Sequence, residues 1–288
     1  HGNWRSIVYL KMKTLNFINS MKTSSKFKNL LKVSLLTGFI PFVFNNQPAK
    51  AVTECPENDS VTSLTSVSPR CFITPETLKV TFYEVGFCTS DPLSTGTLVK
   101  TNCSKSWDNS SGVTVDLGLK TFSKMPGNTY RVPNATYTYA YAIMNDQWII
   151  KGKYKLKDGP TFYSKENYSG STNESEYAAF TDDIVSMEGN EGTNNCFDYS
   201  NTTDYGPVTA VLANNDLTSA TDTSTCNSAT RLIGSIALNT SVTMDDSVKG
   251  YRLTWIVTNM GMGINIDGSG NPSSTLGGPF APQFELIK

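Results

Sequence analysis

Histidine is nearly absent from this chain of 288 residues, with His1 as its single example. Mechanisms that need an imidazole further along are thereby excluded, among them Ser-His-Asp and Cys-His hydrolysis, histidine general bases and histidine-ligated zinc. Closely spaced cysteines are missing as well. No C-x₂-C pair occurs among Cys55, Cys71, Cys88, Cys103, Cys196 and Cys226, which argues against a thiolate metal site. There is no G-x-S-x-G, no phosphate-binding loop and no glycine fingerprint opening a helix, since Gly261-Met262-Gly263 lacks the third glycine. Long apolar runs are also lacking. The best candidate, Val33 to Phe44, includes Pro41 and falls short of the roughly 20 residues that a membrane-spanning helix requires. These absences leave no catalytic residue, no metal and no cofactor to assign.

The short apolar run has a different explanation. Met21 reads as a start, with residues 1–20 an unassigned upstream extension. Lys22, Lys26, Lys28 and Lys32 precede the run, and Ala49-Lys50-Ala51 follows it. A basic region, a short apolar region and an Ala-x-Ala site are the three parts of a secretory signal peptide, so residues 21–51 are expected to be removed before Val52. Residues 1–51 hold eight Lys or Arg and no Asp or Glu, out of 24 basic and 25 acidic residues in all. The remainder carries 16 basic and 25 acidic side chains, a net charge of −9. A chain this acidic is a poor partner for nucleic acid or anionic lipid, and no stable membrane span is left after cleavage. The expected location is secreted, periplasmic or at the cell surface.

All six cysteines follow the signal, which implies disulfides formed in an oxidising compartment. Six cysteines allow fifteen pairings, and sequence alone does not choose among them. Sequential pairing is expected, Cys55–Cys71, Cys88–Cys103 and Cys196–Cys226, because each pair closes a local, polar, turn-rich loop. Residues 52–72 then read as an irregular, disulfide-closed leader.

From residue 73 onward the pattern is that of strands. Leu78, Val80 and Phe82 alternate, after which the phase changes to Tyr83, Val85 and Phe87, as a bulge would cause. A long polar connection is expected over 89–111. Val113, Val115, Leu117 and Leu119 alternate cleanly with polar residues. The clearest stretch runs from Thr136 to Lys157. A tight turn at Asn145-Asp146 would make it a hairpin, with Tyr137, Tyr139, Tyr141 and Ile143 sharing a buried face with Trp148, Ile150, Gly152 and Tyr154. In that register Gly152 leaves room for the Tyr139 ring, and Lys151, Lys153, Lys155 and Lys157 form a solvated row. A short helix over Glu174–Phe180, capped from Ser171 or Thr172, interrupts an irregular region. Strands resume at Val208–Ala213, Arg231–Leu238 and Lys249–Thr258, and Phe284 to Ile287 closes the chain. Short strands and almost no helical period point to an all-β, antiparallel β-sandwich with long polar loops and at most one short helix. It spans 73–288 as one unit, or as two sub-domains, 73–165 and 180–288.

Three constellations hold what chemistry is left. Asp182, Asp183, Glu188 and Glu191 cluster, and Asp245-Asp246 form a second pair, as the carboxylates of a glycosidase would. Solvated turn residues are the more ordinary reading. Asn265-Ile266-Asp267-Gly268-Ser269-Gly270-Asn271 has a glycine at the sixth place of a calcium-type loop. Asn265 replaces the usual first carboxylate and Leu276 the final glutamate, so a plain hairpin loop is the better reading. Trp107 lies in the stretch assigned to a polar loop and is the one tryptophan singled out as a ligand contact. The expected function is a non-catalytic structural, surface or adhesive binding role, with surface glycans or other surface proteins as partners. The alternative is a carbohydrate-active protein, either a binding module or a carboxylate-dependent hydrolase.

Overall fold

The computed structural model describes residues 50–119, 125–186, 196–203 and 206–288. The upstream extension and residues 21–49 of the expected signal peptide lie outside the described residues. The first strands are β1 (Lys50–Ala51), β2 (Arg70–Ile73), β3 (Thr77–Cys88), β4 (Cys103–Asp116), β5 (Asn128–Thr129) and β6 (Ala135–Met144). The middle of the chain supplies β7 (Gln147–Lys151), β8 (Lys153–Lys155), β9 (Thr161–Ser164), β10 (Gly170–Ser171), β11 (Phe180–Asp183) and β12 (Phe197–Thr203). The last are β13 (Gly206–Ala213), β14 (Arg231–Met244), β15 (Gly250–Ile256), β16 (Met262–Ile266), β17 (Pro272–Gly277) and β18 (Ala281–Ile287). The chain is all-β and almost wholly antiparallel. Among the described residues one α-helix forms, α1 (Thr223–Cys226).

One layer of the sandwich is a large sheet in the order β1-β12-β13-β14-β6-β3-β4-β5, to which β7 and β11 attach beside β3. Across its inner face lie the β15-β18 pair and the β2-β16-β17 sheet. Ring contacts join the layers. Phe82 of β3 stacks on Trp255 of β15 at 4.8 Å, and Phe87 meets Tyr251 edge-on at 5.3 Å and Phe284 at 4.7 Å. A hydroxyl chain crosses the same gap. Tyr251 Oη shares a 2.7 Å bond with Ser106 Oγ, which donates at 2.8 Å to the carbonyl of Val85.

The stretch read as a hairpin does not fold back. β6 pairs with β3 from Phe82↔Met144 to Cys88↔Tyr139, and β7 pairs with the same strand further along, from Thr77↔Lys151 to Lys79↔Ile149. Both are antiparallel to β3. The chain therefore runs straight through Asn145-Asp146, where the Asn145 amide donates to the Thr81 carbonyl at 2.8 Å. What changes there is the outer neighbour, which is β14 beside β6 and β11 beside β7. In a straight strand one parity holds throughout, and Ala140, Ala142, Met144, Asp146, Trp148, Ile150, Gly152, Tyr154 and Leu156 are all buried. Tyr141 and Ile143 point the other way, into a smaller cluster with Val211, Ile233 and Leu93. They do not share a face with Trp148 and Ile150, which belong to the main core. Gly152 accordingly faces Met262 and not Tyr139, and a Cβ there would stand only 2.5 Å from the Met262 Sδ. The true hairpin is the next one, β8 with β9, around Asp158-Gly159.

Other expectations meet the structure more closely. The bulge in β3 sits between Phe82 and Glu84, so Leu78, Val80 and Phe82 and then Val85 and Phe87 all reach the main core. All three disulfides are sequential: Cys55–Cys71, Cys88–Cys103 and Cys196–Cys226. Cys88 and Cys103 face each other in register on β3 and β4, where antiparallel neighbours bring their Cα atoms to 4.0 Å. The polar connection is shorter than expected, because β4 already begins at Cys103. The expected helix reduces to a single 3₁₀ turn, Glu174–Glu176, capped by Asn173, after which Phe180 opens β11 against Ile150. The leader is not irregular throughout. Its end is β2, paired with β16, and Leu64 within it is fully buried. Strands from 73–165 and from 180–288 are neighbours in one sheet, β6 beside β14 and β7 beside β11.

Candidate functional site: a cavity between the layers

The upper layer is narrower than the lower one, and the space beyond β18 is not filled. A cavity of about 560 Å³ opens there, over β6, β14 and β13. Its floor follows from the register. Ala142 of β6 faces Gly234 of β14, and Gly234 faces Ala210 of β13, so three very small residues lie side by side across three strands. Met144, Leu232 and Ile236 flank this row, and Trp255, Phe280 and Phe284 form the opposite wall. Gly234 is not forced by crowding. A Cβ added to it meets only the Met144 Cε, at 3.5 Å.

Charged groups collect at one end of the cavity. Asp182 lies on β11 opposite Trp148 and accepts the backbone N–H of Gly277. Gly277 has to be glycine for that contact, since a Cβ there would stand 2.6 Å from the Asp182 carboxylate and 3.1 Å from the Trp148 ring. Burial pushes the Asp182 carboxyl above its ordinary pKa and Asp183 adds to the rise, while the Gly277 N–H and Arg70 oppose it. Arg70 also lines this end, with its Nε donating to Asn265 Oδ1 at 2.7 Å. Close by, buried Asp146 accepts the Ile184 amide through its carbonyl at 3.1 Å. Its carboxyl is pushed up to about 6, chiefly by burial and further by Asp183. On the opposite wall the Trp255 indole N–H is buried and has no acceptor among the described residues.

The expected site residues are scattered by comparison. Asp182 and Asp183 are adjacent on one strand, opposite Trp148 and Gln147 respectively, so their carboxylates leave on different faces and do not converge on one bond. Glu188 and Glu191 lie outside the described residues. Asp245 and Asp246 shape an exposed turn. Asp245 accepts the Ser247 amide at 2.8 Å, and Asp246 accepts from Arg131 at 2.8 Å and Asn134 at 2.9 Å. The Asn265–Asn271 segment joins β16 to β17 as a hairpin loop, with Asp267 holding the amides of Ser269 and Asn271 at 2.9 Å and 2.8 Å.

Trp107 is in β4, not in a loop, and is fully buried in the main core beside Val85. It presents no face to a ligand. Ser104, Lys105, Asp108 and Asn109 around it give the segment the composition of a loop, but all four belong to the same strand. The lysine row behaves as expected of an outward parity. Lys151 Nζ sits 4.1 Å from the Tyr177 ring centroid and Lys153 Nζ 3.5 Å from Glu76.

The groups that matter most, the Ala142–Gly234–Ala210 floor and Trp255, did not stand out in the sequence as a site. The available signal was the alternation of alanine with large residues in Tyr139-Ala140-Tyr141-Ala142, which marks one strand face as shallow. No protein-family model, no curated protein and no solved structure matches the chain.

Proposed function

We propose that this is an exported, non-catalytic binding protein of the cell exterior, and that it takes its ligand into the cavity between its two layers. The observation that carries this reading is the cavity itself. Native cores are packed like organic crystals and hold few voids larger than a water molecule, whereas small-molecule sites run to roughly 300–1,000 Å³. A space of about 560 Å³ floored by alanine and glycine belongs to the second group.

Three further observations support the absence of catalysis. The chain has no histidine beyond His1, all six cysteines are in disulfides, and the adjacent aspartates diverge. The mainly apolar lining suits a molecule with few hydrogen bonds of its own better than it suits a sugar. Export is supported by the three disulfides and the signal-like segment. Among the described residues no helix is long and apolar enough to cross a membrane. Cys55–Cys71 also ties the arm before β2 to the body, which weighs against a filament built by donating that arm to a neighbour.

The binding reading is tested by titrating the purified protein with an environment-sensitive apolar dye. One saturable site is expected, and Gly234→Leu, which fills the floor, should weaken it at least tenfold with an unchanged circular dichroism spectrum. Equal dye binding by the variant would remove the cavity from consideration. Export is tested separately, by N-terminal sequencing of the protein recovered outside the cytoplasm, which should begin at Val52.

A further inference from the structure

We infer that the cavity's ligand is an organic cation, with an amine or quaternary ammonium at the Asp182 end and an apolar body lying over the Ala142–Gly234–Ala210 floor. The inference rests on the binding role proposed above and adds the ligand's chemistry. Two features point the same way.

The first is charge. The Asp182 carboxylate, which accepts the Gly277 N–H, lies at the end of the cavity, as does the guanidinium of Arg70. Arg70 is already engaged with Asn265. A cation brought to Asp182 compensates a carboxylate that burial otherwise disfavours, whereas an anion adds to the repulsion.

The second is the aromatic wall. Trp148, which faces Asp182 across the β7–β11 ladder, has its ring 5.1 Å from that of Phe280, and Phe280 lies 5.3 Å from Trp255. Indole faces beside a carboxylate are the combination that holds ammonium groups, because the ring quadrupole attracts the cation while the apolar surface tolerates its alkyl substituents.

The test compares three probes with one chain and three head groups: decylamine, decanol and decanoate. Each is titrated calorimetrically into the full-length protein at neutral pH, below its aggregation limit. Decylamine is expected to bind at least tenfold more tightly than decanol, and decanoate more weakly than either. Asp182→Asn retains an acceptor for the Gly277 amide and should abolish the preference, so that amine and alcohol bind alike. Equal affinities for all three probes, or tightest binding of decanoate, would overturn the cation assignment and leave the cavity as an apolar site. No binding of any probe would instead overturn the binding role itself. The head-group series on the native protein stands as a test even if the Asp182 variant does not fold.

Discussion

The two halves of the space between the layers are lined by the same sheet, yet they are built oppositely. Under β15 the floor is Phe82 and Phe87, and their rings interlock with those of Trp255, Tyr251 and Phe284. Beyond β18 the floor is Ala142, Gly234 and Ala210, and the space stays open. Strand pairing continues across both halves, with register shifts in β3 after Phe82 and in β14 after Ala237. What separates the halves is side-chain volume, so the open space has been made by subtraction. One half supplies stability so that the other need not.

That contrast fails first, and most visibly, if the ring cluster is not the stabilising half. Phe87→Ala removes a fully buried ring that touches Tyr137, Tyr251 and Phe284, and should cost about 3–5 kcal/mol in chemical denaturation. A loss under about 1 kcal/mol would mean that the two halves do not differ in this way.

The next largest effect concerns Asp146, beside the open half. Its folded-state pKa is about 6 against an ordinary 3.8, so between these values the folded state holds a proton that the unfolded chain has released. Stability should therefore be highest below pH 4 as far as this group is concerned, and should fall as pH rises through 6. Asp146→Asn should flatten that part of the profile and raise stability at pH 8 by about 1–3 kcal/mol. Midpoints of denaturation measured from pH 4 to pH 8 on both proteins decide it; parallel profiles would contradict the assignment.

Filling the open half should help the fold while harming the site. Gly234→Leu adds volume where a Cβ meets only Met144 and removes the flexibility of a strand glycine, for an expected gain of about 0.5–2 kcal/mol. A clear loss of thermal stability would show that the floor is closed and the cavity smaller than its volume suggests. The smallest expected effect returns to the packed half. Tyr251→Phe deletes the hydroxyl bonded to Ser106 and should cost about 0.5–1.5 kcal/mol, visible as a modest shift of the denaturation midpoint.

How much of this could be read from the chain depends on what each feature is made of. Strands and disulfides are made of residues that are present. Alternation in Leu78–Phe87 located both β3 and its bulge, and cysteines 15 and 16 residues apart proved to join neighbouring segments. The hairpin reading went astray because two registers sort the same residues. Folding back at Asn145-Asp146 groups the tyrosines with Trp148, whereas running straight on groups Ala140 and Ala142 with Trp148. Large aromatic residues drew the eye to the first grouping, and tertiary pairing with β3 selects the second. The cavity was least legible of all, because it consists of missing side chains. Its three floor positions, 142, 210 and 234, come from distant parts of the chain and become a row only when β6, β14 and β13 are set side by side.

That distance along the chain has a consequence in time. β3 and β4 lie close along the chain and can find each other early, and β6 and β7 reach β3 within the first 151 residues. β14 must travel from residues 231–244 to reach β6 at 135–144, and such long-range closures are the slow ones. The floor of the cavity waits for Gly234 of β14, and the ring cluster waits for Tyr251, Trp255 and Phe284 of β15 and β18. A chain synthesised from its N-terminus therefore completes both halves of the space only once residues 231–287 have emerged, so that core and cavity form together.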